Sequence, residues 1–67
     1  MTEVAAHAPL WVRWIAQDSS GVWWGYSVEP LLNDTGWYEN EVGRCIRLGA
    51  SPPDDWMHSL CSGPAAG

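Results

Sequence analysis

The sequence predicts a mainly β fold: a three- or four-stranded antiparallel meander closed by a short C-terminal helical turn. Two observations carry that expectation. Leu10 to Gln17 and Val22 to Glu29 are runs rich in Trp, Val and Ile separated by Asp18-Ser19-Ser20-Gly21, the mark of a β-hairpin. Shorter runs of the same kind follow, broken by Gly36, Gly43 and Gly49.

The elements follow in order. Met1 to Pro9 has no period and ends on proline, so residues 1–9 read as a flexible arm. In the first hairpin a type I turn followed by a left-handed glycine fits the four connecting residues. Asp18 accepts from the turn backbone and Gly21 takes the positive φ. That turn pairs Asp18 with Val22, and so Trp14 with Tyr26, Ala16 with Trp24 and Val12 with Val28. Every even-numbered position then shares one wholly apolar face: Val12, Trp14, Ala16, Val22, Trp24, Tyr26 and Val28. The odd face is mixed: Trp11, Arg13, Ile15, Gln17, Trp23, Gly25, Ser27 and Glu29. A four-residue loop would scramble this partition, which favours the shorter one. After Pro30, Leu31 to Gly36 reads as a loop, Trp37 to Val42 as a third strand and Arg44 to Leu48 as a fourth. Glu39 and Glu41 fall on one side of the third strand. Asp54-Asp55-Trp56 can open a helical turn through Leu60, its aspartates suited to the positive helix start. Trp56 and Leu60 would then share a stripe. The folded domain is expected over 10–61, with 62–67, SGPAAG, a flexible tail.

Size and composition bound what such a domain can do. At 67 residues a chain buries only about 60% of the surface its unfolded form exposes. Six tryptophans, each able to bury roughly 150–250 Å², could furnish most of a core without phenylalanine. The net charge is −5, from eight carboxylates against Arg13, Arg44 and Arg47. No basic stripe exists to displace phosphate counterions, so direct nucleic-acid binding is not expected, nor is docking on anionic lipid. Carboxylates along one strand could instead mimic nucleic acid, although they are sparse and interrupted by arginines. No basic stretch leads into an apolar leader, and nothing approaches the ~20 apolar residues of a membrane span. A cytoplasmic protein is expected. Cys45 and Cys61 do not make a disulfide framework and read as free thiols. A bridge, if formed, would close a loop of about 15 residues and stabilise by roughly 3 kcal/mol.

Catalytic and metal chemistry find little footing. No glycine-rich phosphate loop, nucleophile elbow or zinc-protease motif is present, and no lysine is available for Schiff-base chemistry. His7, Cys45, His58 and Cys61 total four candidate ligands, but their spacing matches no standard zinc pattern. Neither enzyme activity nor a metal or other cofactor is expected. The odd face of the hairpin is the sharper candidate. If the C-terminal turn covers the even face, Trp11, Ile15 and Trp23 form an exposed apolar cluster beside Arg13, the residue types of binding hot spots. With Glu39 and Glu41 nearby, these six would form a protein-binding surface. The alternative is that the C-terminal turn or N-terminal arm covers this face and every indole is structural. Gly25, lying diagonally near these rings, leaves room for an indole to fold across the backbone on either reading.

The stretch RWIAQDSSGVWWGYSVEP, followed by GWYENEVGRCIRLG and DWMHSL, resembles small bacteriophage and prophage accessory proteins with an IAQD-x-x-G-x-W-W/Y-x-Y hairpin and a terminal DW-x-x-SL. The resemblance implies a non-catalytic inhibitor or host-takeover factor of anti-CRISPR or other anti-defence type, acting on a bacterial host protein in the host cytoplasm. It assigns no site residues. A self-associating homodimer and a peptide- or sugar-binding module are the alternatives. Trp11, Trp23-Trp24 and Trp37 are also similar in layout to a WW domain, but Trp11 and Trp37 are too far apart, and Tyr38-Glu39 replaces its proline.

Overall fold

The structure, a computed structural model, describes residues 8–39 and 42–64. Six strands form: β1 (Trp14–Gln17), β2 (Val22–Tyr26), β3 (Leu31–Leu32), β4 (Trp37–Tyr38), β5 (Cys45–Ala50) and β6 (Cys61–Ser62). A 3₁₀ turn spans Trp56–His58. The main sheet is antiparallel in the order β5-β2-β1-β6, and β3 and β4 make a separate two-stranded hairpin.

The β1–β2 hairpin has the register that its turn chemistry dictates. Trp14 pairs with Tyr26, Ile15 with Gly25, Ala16 with Trp24 and Gln17 with Trp23. Gly21 N–H donates to Asp18 O and Asp18 N–H to Val22 O, both at 3.0 Å. Asp18 Oδ1 accepts from the N–H groups of Ser20 and Val22 and from Ser20 Oγ, and Gly21 takes φ 96°. An alanine at 21 would be strained there and would also press on Ser51 O.

Beyond this hairpin the order departs from a meander. The third strand expected over 37–42 stops at Tyr38 and pairs with β3, Leu31 opposite Tyr38 and Leu32 opposite Trp37. Asn33 Oδ1 accepts from Thr35 and Gly36 N–H, so the expected loop is a hairpin tip. The neighbour of β2 is instead β5. Ser27 N–H donates to Arg44 O and Arg44 N–H to Ser27 Oγ, fastening the two strands where β2 ends. A bulge opposite Trp23 and Trp24 gives β5 one extra residue, since Gly49 pairs with Trp23 and Arg47 with Trp24.

The C-terminal segment also differs from expectation. Asp55 sits in the left-handed region at φ 59° ahead of the 3₁₀ turn, so neither aspartate charges a first helical turn. Ser59 ends the turn by donating N–H and Oγ to Trp56 O while its Oγ accepts from Gln17 N–H. Leu60 therefore shares no helical stripe with Trp56. The expected tail begins as a strand: Cys61 pairs with Ile15, Ser62 with Trp14, and Gly63 N–H donates to Arg13 O. Residues 1–7 and 65–67 lie outside the described residues.

The core is small and lies mostly on the odd face. Val12, Ile15 and Ala16 have no exposure and Tyr26 has 5%. Val12 does not continue the even face, because β1 begins only at Trp14. Its methyls instead lie about 3 Å from where a Gly25 Cβ would stand, with Leu48 also close. Gly25 is thus a slot for Val12, which Gly63 closes from the other side. All six tryptophans are half-buried rather than central. Indoles suit that position, with an apolar body and a polar tip that seeks a partner.

Candidate functional site

The residues expected to form the binding surface do not come together. Ile15 is fully buried, paired between Gly25 and Cys61 in the middle of the sheet, so it presents nothing to a partner. The odd face is the sealed one. Gln17 is 2% exposed, and its Nε2 donates to Gly21 O and to Ser51 O and Oγ. Trp23 Nε1 donates to the same Ser51 Oγ at 2.9 Å. Trp11 is half-buried with the Arg44 guanidinium 4.2 Å from its ring centre. Arg13 is exposed, and its backbone is held by Tyr26 O. Glu39 belongs elsewhere, as described next, and Glu41 lies outside the described residues.

The concave site is on the even face, between the main sheet and the β3–β4 hairpin. Asp18, Trp24, Tyr26, Asn33, Trp37, Tyr38, Glu39 and Cys45 are among its walls, and its volume is about 450 Å³. Two sets of bonds position the hairpin: Ser19 N–H and Oγ donate to Thr35 O, and Trp37 Nε1 donates to Gln17 O at 2.9 Å. Trp24 is fixed by its own indole N–H, given to Asp18 Oδ2 at 3.1 Å. Both indole donors are therefore spent inside the protein, and what the two rings can offer a ligand is their electron-rich faces.

The electrostatics of the groove are negative. Partial burial opposes ionisation of Asp18, but hydrogen bonds from Ser20 Oγ, Trp24 Nε1 and the Val22 and Ser20 N–H groups outweigh it. The carboxyl stays below its ordinary range. Burial, then the nearby Cys45, Asp18 and Glu39, pushes Tyr26 up to about 12. Partial burial, the charge of Glu39 and a hydrogen bond to it raise the Cys45 thiol. The thiol is accordingly poorly suited to act as a nucleophile at neutral pH. Tyr26 is buried, with 5% exposure, and among the described residues no buried side-chain nitrogen or oxygen lacks a hydrogen-bond partner. The only ion pair among them is His58 Nδ1 with Asp55 Oδ1, at 2.7 Å and far along the chain.

Other chemistries have no geometry here. Cys45 and Cys61 are free and lie on strands at opposite edges of the sheet. Among the described residues no three His, Cys, Asp or Glu side chains converge on a metal position, and no helix is long and apolar enough to cross a membrane. No family model, curated protein or solved structure matches the chain.

Sequence reasoning placed Asp18 in the turn and Trp24 in the core, and so missed that the two also wall a groove. The available signal was Asn33-Asp34-Thr35-Gly36 between Leu-Leu and Trp-Tyr. Flanking hydrophobic pairs around Asn and Gly mark a hairpin that can fold back over a sheet.

Proposed function

We propose that this chain is a non-catalytic binding protein whose contact surface is the aromatic groove between β2 and the β3–β4 hairpin. The observation carrying the reading is a concave site of about 450 Å³ walled by two indoles fixed through their own N–H groups. Rigid aromatic side chains with few spent rotamers are the usual anchors of recognition. Set beside the resemblance to phage accessory proteins, the partner class is a bacterial host protein that the chain inhibits or redirects.

The test is capture of host proteins by the tagged full chain, compared across variants whose fold is checked by circular dichroism. A specific partner should be retained by the wild type and by Trp23→Ala, and lost with Tyr38→Ala, a change at an exposed groove wall. Loss with Trp23→Ala and retention with Tyr38→Ala would return the contact to the opposite face.

A second reading, a homodimer, draws on β5. This six-residue strand forms one edge of the sheet, with Ile46 and the nearby Val42 exposed, and unpaired edges invite strand addition. Sedimentation of the pure protein decides it: a monomer across the accessible concentration range removes the dimer.

A further inference from the structure

The groove offers a ligand π-faces, hydroxyls and the Glu39 carboxylate, with the internally bonded Asp18 carboxylate adding negative charge and no positive charge among its lining residues. Both indole N–H groups are committed internally, and Asn33 Oδ1 is committed to its own turn. Neither Asp18 nor Glu39 is paired with a cation among the described residues. Tyr26 adds a hydroxyl-bearing ring to the same wall. An anion would meet repulsion there, and a neutral ligand would leave the charge of Glu39 uncompensated, Asp18 being already held by Ser20, Val22 and Trp24.

We infer that this groove seats the guanidinium of an arginine side chain contributed by the bound protein. The inference rests on the groove being the contact surface and adds the chemistry of its occupant. A planar, weakly hydrated cation stacks on indole while its N–H groups reach carboxylate and hydroxyl oxygens, which a compact, strongly hydrated ammonium does less well. The chain already makes this pairing within itself, with Arg44 lying 4.2 Å above the Trp11 ring. Burial is the first cause that holds the protons on Tyr26 and Cys45, and the charges of Asp18 and Glu39 on Tyr26, and of Glu39 on Cys45, act in the same direction. Arg47 pairs with Trp24 across the ladder, but it is exposed, does not line the groove and bridges neither carboxylate among the described residues.

The experiment follows the indole N–H signals of the isotope-labelled full chain by NMR during titration with N-acetyl-arginine methylamide. Its lysine counterpart and its neutral citrulline isostere are run in parallel. The arginine probe is expected to shift Trp24 and Trp37 with a dissociation constant of about 1–10 mM, as for a single weak contact. Citrulline should bind at least about tenfold more weakly and lysine several-fold more weakly, and Glu39→Gln should weaken the arginine probe by about threefold to tenfold. Equal binding of citrulline or lysine, shifts confined to Trp11 and Trp23, or no shift across that range overturns the inference. If the probe fails while Tyr38→Ala still abolishes capture, the groove is the contact surface and its occupant is not arginine. If Tyr38→Ala leaves capture intact, the wider reading fails on its own evidence.

Discussion

The two faces of the β1–β2 hairpin each begin with at least one aromatic or branched residue from each strand, Ile15 and Trp23 on one and Trp14, Val22, Trp24 and Tyr26 on the other, and end in opposite states. On the odd face, Ile15 and Gln17 are buried because Val12 folds over Gly25 and the Ser51 and Ser59 segments close the edges with hydrogen bonds. On the even face, Ala16 and Tyr26 are buried but Trp24 and Trp37 stay half-open around a groove. The difference lies in what covers them. Small residues and backbone can meet a sheet closely, whereas a hairpin carrying a broad indole stands off and leaves space. Bulky aromatics, which suggest a core when read from composition, here do the reverse.

Substitutions on the two faces should therefore differ in kind. Ile15→Ala opens a cavity in the sealed face and should cost about 2–5 kcal/mol, enough to unfold much of so small a domain. A urea midpoint close to wild type would break the contrast. Gln17→Ala leaves the carbonyls of Gly21 and Ser51 without their donor and should cost about 1–3 kcal/mol, read from the same transition. On the groove face, Trp24→Phe keeps a ring but deletes the bond to Asp18. It should cost about 0.5–1.5 kcal/mol, less than either change opposite. A larger loss than Ile15→Ala would mean that the even face is the true core.

Acid separates the faces as well. The carboxyl of Asp18 is more acidic in the folded chain than its ordinary value of 3.8. Its stabilisation is therefore complete at neutral pH and is lost as pH falls through 3.8 toward the lower folded value. Asp18→Asn should lower neutral-pH stability and flatten this acid-side loss in thermal melts. The smallest effect belongs to neither face. His58, fully exposed, is raised by the hydrogen bond and charge of Asp55, so its contribution is present at low pH and fades as pH rises past the raised value. His58→Ala should shift the melting temperature too little to resolve.

The hairpin was legible from sequence because its information is local. Asp18 and Gly21 permit one turn, the turn permits one register, and the register assigns every side chain in β1 and β2 to a face. Which face would be covered was not legible, since that depends on chain 20 or more residues away: Trp37 bonded to Gln17 O and Ser59 bonded to Gln17 N–H. Two residues misled for definite reasons. Gln17 was only one polar member of a mixed face, yet it is the donor that satisfies carbonyls of two loops. Val12 looked like a continuation of the alternation, yet the strand had not begun and Gly25 had left it a seat. Of the six expected contact residues, Glu39 lies in the groove. Its wall-mates escaped notice because each had an adequate local role, Asp18 as a turn residue and Trp24 as core.

Gln17 also bears on how the molecule comes apart. Its backbone and side chain are bonded to the first turn at Gly21, to Ser51 after β5, to Ser59 before β6, and to Trp37 of the groove hairpin. Four stretches of chain, three of them 20 or more residues away, thus share one residue, and none can leave without exposing the bonds of the others. Amide protons around residue 17 should accordingly exchange with solvent only when the whole domain opens. The groove is then not an independently melting flap but the outer rim of a single cooperative unit, opening and closing with everything it is built on.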